Sequence, residues 1–277
     1  MRTTARILQF TDIHFFGNSD GRTPSQTDHW TVEDWHSFVR HFSPDLVVVT
    51  GDIWHNNPRG RGMFALEHAV RELERLGVAW ATCWGNHDRL DDYQLGHDTL
   101  EGGRGSLYRG GGTHGDYRIE LRSRGGALCR RVFLMNSHRW GLAAWQLQWL
   151  KNELSSTTGP ALAFFHIPVL EQKLLYRPGI TPGVRAEKVC HELELGSALP
   201  VLEFGGWVRA CFCGHDHVND YAVESNSVEL VYGRATGYTG YGGDIVRKGA
   251  KWIEFDLISG EYRAETVFAD GSRWAGA

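Results

Sequence analysis

Five short apolar runs in this chain each stop at residues that can bind a metal ion. They are residues 6–10 ahead of Asp12 and His14, 46–50 ahead of Asp52, 78–84 ahead of Asn86, His87 and Asp88, 161–165 ahead of His166, and 208–213 ahead of His215 and His217. Runs this short and apolar read as strands buried on both faces, the kind found in α/β sheets with parallel crossovers. One carboxylate or imidazole beyond a strand means little. Five such ends describe a crevice at the carboxyl edge of a sheet, where α/β folds hold their ligands.

The candidate residues run from Asp12 to His217, so cutting the chain in the middle would divide the site. We therefore expect one domain spanning residues 1–277, a length that can bury a large core. Lys and Arg total 29 against 33 Asp and Glu, a formal charge of -4 with no basic block. That composition asks for neither nucleic acid nor a charged membrane. No apolar stretch reaches membrane-spanning length and no signal peptide precedes the first strand, so the expected setting is cytoplasmic, although a removed leader would leave no trace. The cysteines, 83, 129, 190, 211 and 213, are odd in number and scattered, which argues for reduced thiols. Cys211 and Cys213 share one face of a strand and read as core.

Between the strands, residues 17–28 read as a polar loop, and 32–42 as a helix with Thr31 as its N-cap. Residues 63–76 form the clearest helix, with Leu66, Ala69, Val70 and Leu73 on one face and Gly77 as the stop. Residues 101–115 read as a glycine-rich surface loop, 118–121 and 132–135 as strands, 142–154 as a helix, and 170–195 as loop followed by a short helix. Beyond His217 the pattern is mostly strand, at 221–223, 228–231, 252–257 and 262–267. This organisation predicts an α/β fold of two sheets packed face to face with helices outside.

Asp12-x-His14 and His215-x-His217 each put two candidate ligands at positions i and i+2, which point to one side of an extended segment. Asp52 follows an apolar run and Gly51, where an unpaired carboxylate would be costly. Mixed nitrogen and oxygen donors without thiolate suit manganese, iron or zinc. The seven candidates Asp12, His14, Asp52, Asn86, His166, His215 and His217 are too many for one ion and about right for two. Such a pair keeps a positive surplus that attracts phosphate and supports in-line displacement.

In this order the motifs Asp-x-His, Gly-Asp, Gly-Asn-His-Asp, a later His and Gly-His-x-His resemble the calcineurin-like metallophosphoesterases. The resemblance implies a four-layer α-β-β-α sandwich of two mixed sheets with a dinuclear metal site at the strand carboxyl ends. It places Asp12, His14 and His217 on one ion, Asn86, His166 and His215 on the other, and Asp52 between them. His87 would then protonate or stabilise the leaving oxygen, a hydroxide bridging the ions would attack phosphorus directly, and the cofactors would be two divalent or mixed-valence ions of Mn, Fe or Zn. The stretches 165–168, 183–185, 214–221 and 232–242 are similar to the purple-acid-phosphatase-related branch with yeast and plant members. Purple acid phosphatases carry a metal-binding Tyr three residues after the bridging Asp, and protein phosphatases an Asp that orients the catalytic His; this chain has His55. The orienting of His87 then falls to Asp88 or to a backbone carbonyl, and Asp88 is taken with His87 as catalytic.

Substrate clues are thinner. Arg59 and Arg61 follow Asp52 in a loop where a guanidinium could clamp a phosphate or simply be solvated, and Arg234, with Tyr232, Tyr238 and Tyr241, could wall the pocket or pack a strand-linking loop. The expected reaction is phosphomonoester hydrolysis on a small phosphorylated substrate or a phosphoprotein. The alternatives are a phosphodiesterase for small diesters such as cyclic nucleotides, and a metal-binding interaction protein without catalysis. The presence of all seven ligands and His87 disfavours the last.

Overall fold

The run 46–50 is buried at every position because strands pair with it on both sides and side chains cover both faces. A computed structural model describes residues 3–18, 20–122 and 126–274; the side chains of residues 128 and 129, and with them the Cys129 thiol, lie outside the described set. Its strands are β1 (Thr4–Phe10), β2 (Leu46–Thr50), β3 (Ala79–Cys83), β4 (Tyr117–Arg122), β5 (Leu128–Leu134), β6 (Ala161–Phe164), β7 (Gly183–Arg185), β8 (Val208–Cys213), β9 (Asn219–Ser225), β10 (Val228–Tyr232), β11 (Ala250–Asp256), β12 (Tyr262–Val267) and β13 (Arg273–Trp274). Its α-helices are α1 (Gln26–Phe42), α2 (Gly62–Arg75), α3 (Tyr93–Glu101), α4 (Ala144–Ser155), α5 (Leu170–Leu175) and α6 (Leu199–Leu202).

The strands form two mixed sheets, one ordered β13-β12-β11-β1-β2-β3 and the other β4-β5-β6-β8-β10-β9-β7. Period-2 alternation divides the second sheet cleanly. Val132, Leu134, Leu162, Phe164, Ala210 and Phe212 face the core shared with the first sheet. Their neighbours Phe133, Ala161, Ala163, Cys211 and Cys213 face a separate core that contains Leu147, Leu150 and Leu154 of α4. On the first sheet, Phe10 of β1 stacks on Trp35 of α1 at 5.2 Å, and Leu66, Ala69 and Leu73 of α2 join the same core. The result is the four-layer α-β-β-α sandwich the motifs implied. Cys83, Cys190, Cys211 and Cys213 are free. No helix among the described residues is long and apolar enough to cross a membrane.

Several local expectations need correction. Helix α1 starts at Gln26, six residues before the expected start, because Ser25 and Asp28 make a reciprocal capping box; Thr31 lies inside it and donates to the Thr27 carbonyl. Helix α3, capped by Asp92, was not anticipated. Its Gly96 weakens the helical signal, and it is there because a Cβ would sit 2.4 Å from Leu90 and 2.8 Å from Trp84. Tyr108 is fully buried, so 101–115 is not simply a surface loop. In 170–195 the short helix comes first rather than last.

The five ligand-bearing strands also do not share one sheet. β1, β2 and β3 run parallel in the first, β6 and β8 parallel in the second. Their ends meet across the sandwich: Gln9 donates to the Cys213 carbonyl at 3.0 Å, and His166 Nδ1 lies 2.8 Å from the Thr50 carbonyl. The crevice is therefore a seam between sheets, which can surround an ion from more directions than one edge can.

Candidate metal centre

Asp12, His14, Asp52 and His215 all have positive φ, between 50° and 78°, a region that costs a non-glycine residue roughly 1–3 kcal/mol. The extended i, i+2 geometry expected for Asp12 and His14 is thus replaced by left-handed turns. The turn after β1 lies on the turn after β2, with the Ile13 and His14 N–H groups both donating to the Asp52 carbonyl at 2.9 Å. Glycines allow the close approach: a Cβ on Gly85 would meet the Asp52 nitrogen at 2.3 Å, and one on Gly214 the Thr11 hydroxyl at 1.9 Å.

All seven candidate ligands converge at this seam. His14 Nε2 is 3.1 Å from His217 Nε2, and His217 Nε2 is 3.5 Å from Asp12 Oδ1. On the other side, His166 Nε2 is 3.0 Å from Asn86 Oδ1 and 3.3 Å from His215 Nδ1. Asp52 Oδ2 reaches both groups, 3.6 Å from His14 Nε2 and 3.3 Å from His166 Nε2. Asp12, His14 and His217 form one cluster with the spacing of a metal site, and Asp52, His166 and His215 another.

The outer ring nitrogens show that this donor set fits cations. His14 Nδ1 lies 3.2 Å from His55 Nδ1, His166 Nδ1 2.8 Å from the Thr50 carbonyl, His217 Nδ1 3.4 Å from the Tyr241 carbonyl, and His215 Nε2 3.5 Å from the Glu192 carboxylate. The two carbonyls and the carboxylate accept, which favours an outer proton on His166, His217 and His215 and leaves their inner nitrogens to face the centre, as metal-ligating imidazoles require. Burial lowers the pKa of His14 to about 3 and of His215 to about 4, so both rings are neutral. Burial would lower His166 too, but Asp52 beside it outweighs this and raises it to about 10, so without an ion its inner nitrogen holds a proton that a bound cation would displace. Burial alone would raise the Asp52 carboxyl; the imidazoles of His166 and His14 hold it well below the carboxylate range instead. His55 and Glu192, which complete these contacts, were not assigned roles from the sequence.

His87 sits beside the clusters, half-buried. Its backbone N–H donates to Asp52 Oδ1 at 2.8 Å, its ring stacks on His55 at 5.0 Å, and its Nδ1 lies 3.2 Å from Asn56 Oδ1. Asn56 in turn donates its N–H to the His87 carbonyl at 2.9 Å. The side chain that holds the His87 ring is thus Asn56, four residues after Asp52, and the polar pair Asn56-Asn57 is its signal in the sequence.

Asp88 does not have the catalytic placement expected of it. Its buried carboxylate accepts three backbone N–H bonds, from Gly85 and Ile53 at 2.7 Å and from Trp54 at 3.1 Å, and so ties the turn after β3 to the turn after β2. Burial and the charge of Asp52 push it up to about 7.

The substrate-side expectations are also redrawn. Arg234 is 3% exposed, its Nε donates to Asp220 Oδ2 at 2.7 Å, and its guanidinium stacks on Trp274 at 4.8 Å, so it closes the sandwich away from the seam. Tyr238 donates its hydroxyl to Asp34 at 2.8 Å and is bound to α1. Tyr232 is buried against Asp216. Arg61 is tied to the Asp20 carbonyl, while Arg59 is exposed. Of this group Tyr241 alone lines the centre, stacked on His217 at 4.0 Å and 9°.

A family model for the calcineurin-like phosphoesterases matches residues 5–219. Among relatives, the chain is 27% identical over 308 residues to "Probable inactive purple acid phosphatase 28" of Arabidopsis thaliana, covering 93% of this chain and 76% of that protein. It is 27% identical over 291 residues to "Phosphatase DCR2" of Saccharomyces cerevisiae, covering 82% of this chain and 47% of the yeast protein. A dimetal phosphatase from Danio rerio superposes with a TM-score of 0.63 at 16% identity, covering 94% of this chain and 98% of that one, a likeness of fold.

Proposed function

The chain belongs to the calcineurin-like phosphoesterases, hydrolases of phosphate esters, and on that premise we propose that it is an active dinuclear phosphomonoesterase. Asp12, His14 and His217 would hold one ion, Asn86, His166 and His215 the other, and Asp52 both. Ions bound there would supply Lewis acidity toward the phosphoryl oxygens and an acidified water for direct attack, with manganese, iron or zinc suited to the mixed nitrogen and oxygen donors.

The chain's own residues supply the rest. Asn56 accepts the His87 Nδ1 proton, which leaves Nε2 as the face that exchanges a proton with the leaving oxygen. Burial lowers the pKa of His87, which makes it a readier proton donor once charged. Asp88 and the left-handed turns fix the ligand frame, and Tyr241 covers the His217 side from water. The carrying observation is the four imidazoles, each with one nitrogen at the centre and the other on an outer polar partner. Three relatives from Arabidopsis thaliana are named probable inactive purple acid phosphatases; this chain has all seven candidate ligands and His87, which supports activity.

A monoester is preferred because the formal charge is -4 with no basic block that would follow a nucleic-acid backbone. The setting remains an expectation of a cytoplasmic enzyme acting on a small phosphorylated compound or a phosphoprotein. Metal-reconstituted protein assayed on a monoester and a diester of the same aryl alcohol should favour the monoester. A diester preference would replace this reading with the phosphodiesterase one.

A further inference from the structure

A cavity of about 350 Å³ opens beside Asn86 and shares that residue with the metal centre. Its floor is built from aromatic groups held rigidly. Trp84 Nε1 donates to the Tyr108 hydroxyl at 2.7 Å, and that hydroxyl lies 2.6 Å from His97 Nδ1. These two bonds hold the His97 ring in place, and His97 lines the cavity.

The walls are unlike ordinary surface. Tyr93 and Trp140 line the same cavity and are 48% and 57% exposed, two large rings left in water at the cavity. Tyr93 is tilted against Trp84 at 5.6 Å and Trp84 stands edge-on to His97 at 5.0 Å, so the rings form an aromatic cluster beside Asn86. Arg139, exposed at the rim, adds a cation that favours an anionic ester. A mobile or saturated substituent gains little from flat π faces; a planar one gains by offset stacking.

We infer that this cavity is the subsite for the organic part of the substrate, and that it selects esters of planar aromatic alcohols. The inference rests on the phosphomonoesterase reading and names its substrate class. The phosphoryl group sits at the metal centre and the ring extends past Asn86 to lie against Tyr93, Trp84 and Trp140, with a polar ring substituent toward His97.

Benzyl phosphate and cyclohexylmethyl phosphate test this, since they share a skeleton and leaving-group type and differ in planarity. The metal-loaded protein should show kcat/KM about fivefold higher for the benzyl ester, the scale of one aromatic contact. Trp140→Ala and Tyr93→Ala, both changes at exposed side chains, should each lower kcat/KM more for the benzyl than for the cyclohexylmethyl ester and so bring the ratio toward one. Binding of benzylphosphonate and cyclohexylmethylphosphonate, measured by calorimetry, reads the same preference without turnover. If no ester is hydrolysed but benzylphosphonate binds more tightly and loses that advantage in Trp140→Ala, the catalytic reading fails and the aromatic subsite stands. Equal binding of the two phosphonates, or a preference that survives both substitutions, overturns the subsite. Free O-phosphotyrosine run beside a phosphotyrosyl peptide assigns the source of the ring, a small molecule or a protein side chain.

Discussion

Asn56 and His87 hold each other twice: the Asn56 carboxamide oxygen lies 3.2 Å from His87 Nδ1, and the Asn56 N–H donates to the His87 carbonyl at 2.9 Å. The two contacts fix the position of the His87 ring. A neutral partner fixes the tautomer without adding charge, so His87 is not held in its protonated form. Replacing Asn56 with Ala should lower kcat by about 10- to 100-fold with the metal content intact. Asn56→Asp should keep the rotamer and shift the pH profile upward, because a carboxylate stabilises the imidazolium. An unchanged profile in Asn56→Asp would remove the orienting role.

His55 is the outer partner of His14, and its loss should show in metal affinity before it shows in chemistry. His55→Phe keeps the stacking on His87 at 5.0 Å but removes the ring nitrogen 3.2 Å from His14 Nδ1. Affinity for the first ion should fall by about 10- to 100-fold, read as metal retained after dialysis against a competing chelator. Equal retention would mean that His14 does not need this partner.

Asp88 separates structure from catalysis. Asp88→Ala leaves the Gly85, Ile53 and Trp54 N–H groups without their acceptor and should cost about 2–4 kcal/mol in urea unfolding. Any metal-loaded Asp88→Asn that folds should keep the wild-type pH profile. A shifted profile at unchanged stability would return Asp88 to the proton-transfer machinery.

The buried Asp116 carboxyl predicts how stability depends on pH. Burial raises its pKa from 3.8 to about 7 against the N–H of Asn136 and the Gln146 amide, which donate to Oδ1, while Oδ2 has no partner among the described residues. A raised folded-state value means that the unfolded chain loses this proton first. Stability from this group is full below 3.8, declines as pH rises, and is gone above about 7. Asp116→Asn should therefore gain on the parent protein between those limits and hold a constant advantage beyond them. Parallel melting curves for the two proteins across that range would exclude the shift.

Much of this was legible in the chain because strands that end in ligands leave a plain pattern. Apolar runs fixed β2, β6 and β8, and the seven donors that follow the strands are the seven that converge. The helix signal failed at α1 because its first turn is polar and made by a capping box, and at α3 because Gly96 serves packing rather than helicity. The outer partners Asn56, His55 and Glu192 were missed for a different reason. An orienting contact joins residues from separate turns, and no spacing rule marks it. Arg234 misled in the opposite direction, since a charge in a glycine-rich loop reads the same whether it meets a phosphate or, as here, Asp220.

The account depends on Asp52 Oδ2 serving both clusters, 3.6 Å from His14 and 3.3 Å from His166. The most direct measurement is titration of metal-free protein with manganese, zinc or iron while turnover of an aryl phosphomonoester is followed, with Asp52→Asn run alongside. Activity should rise to a limit at two bound ions per chain, and Asp52→Asn should lose about a hundredfold or more with at least one site weakened. No turnover at confirmed occupancy of both sites, or full activity in Asp52→Asn, would contradict it.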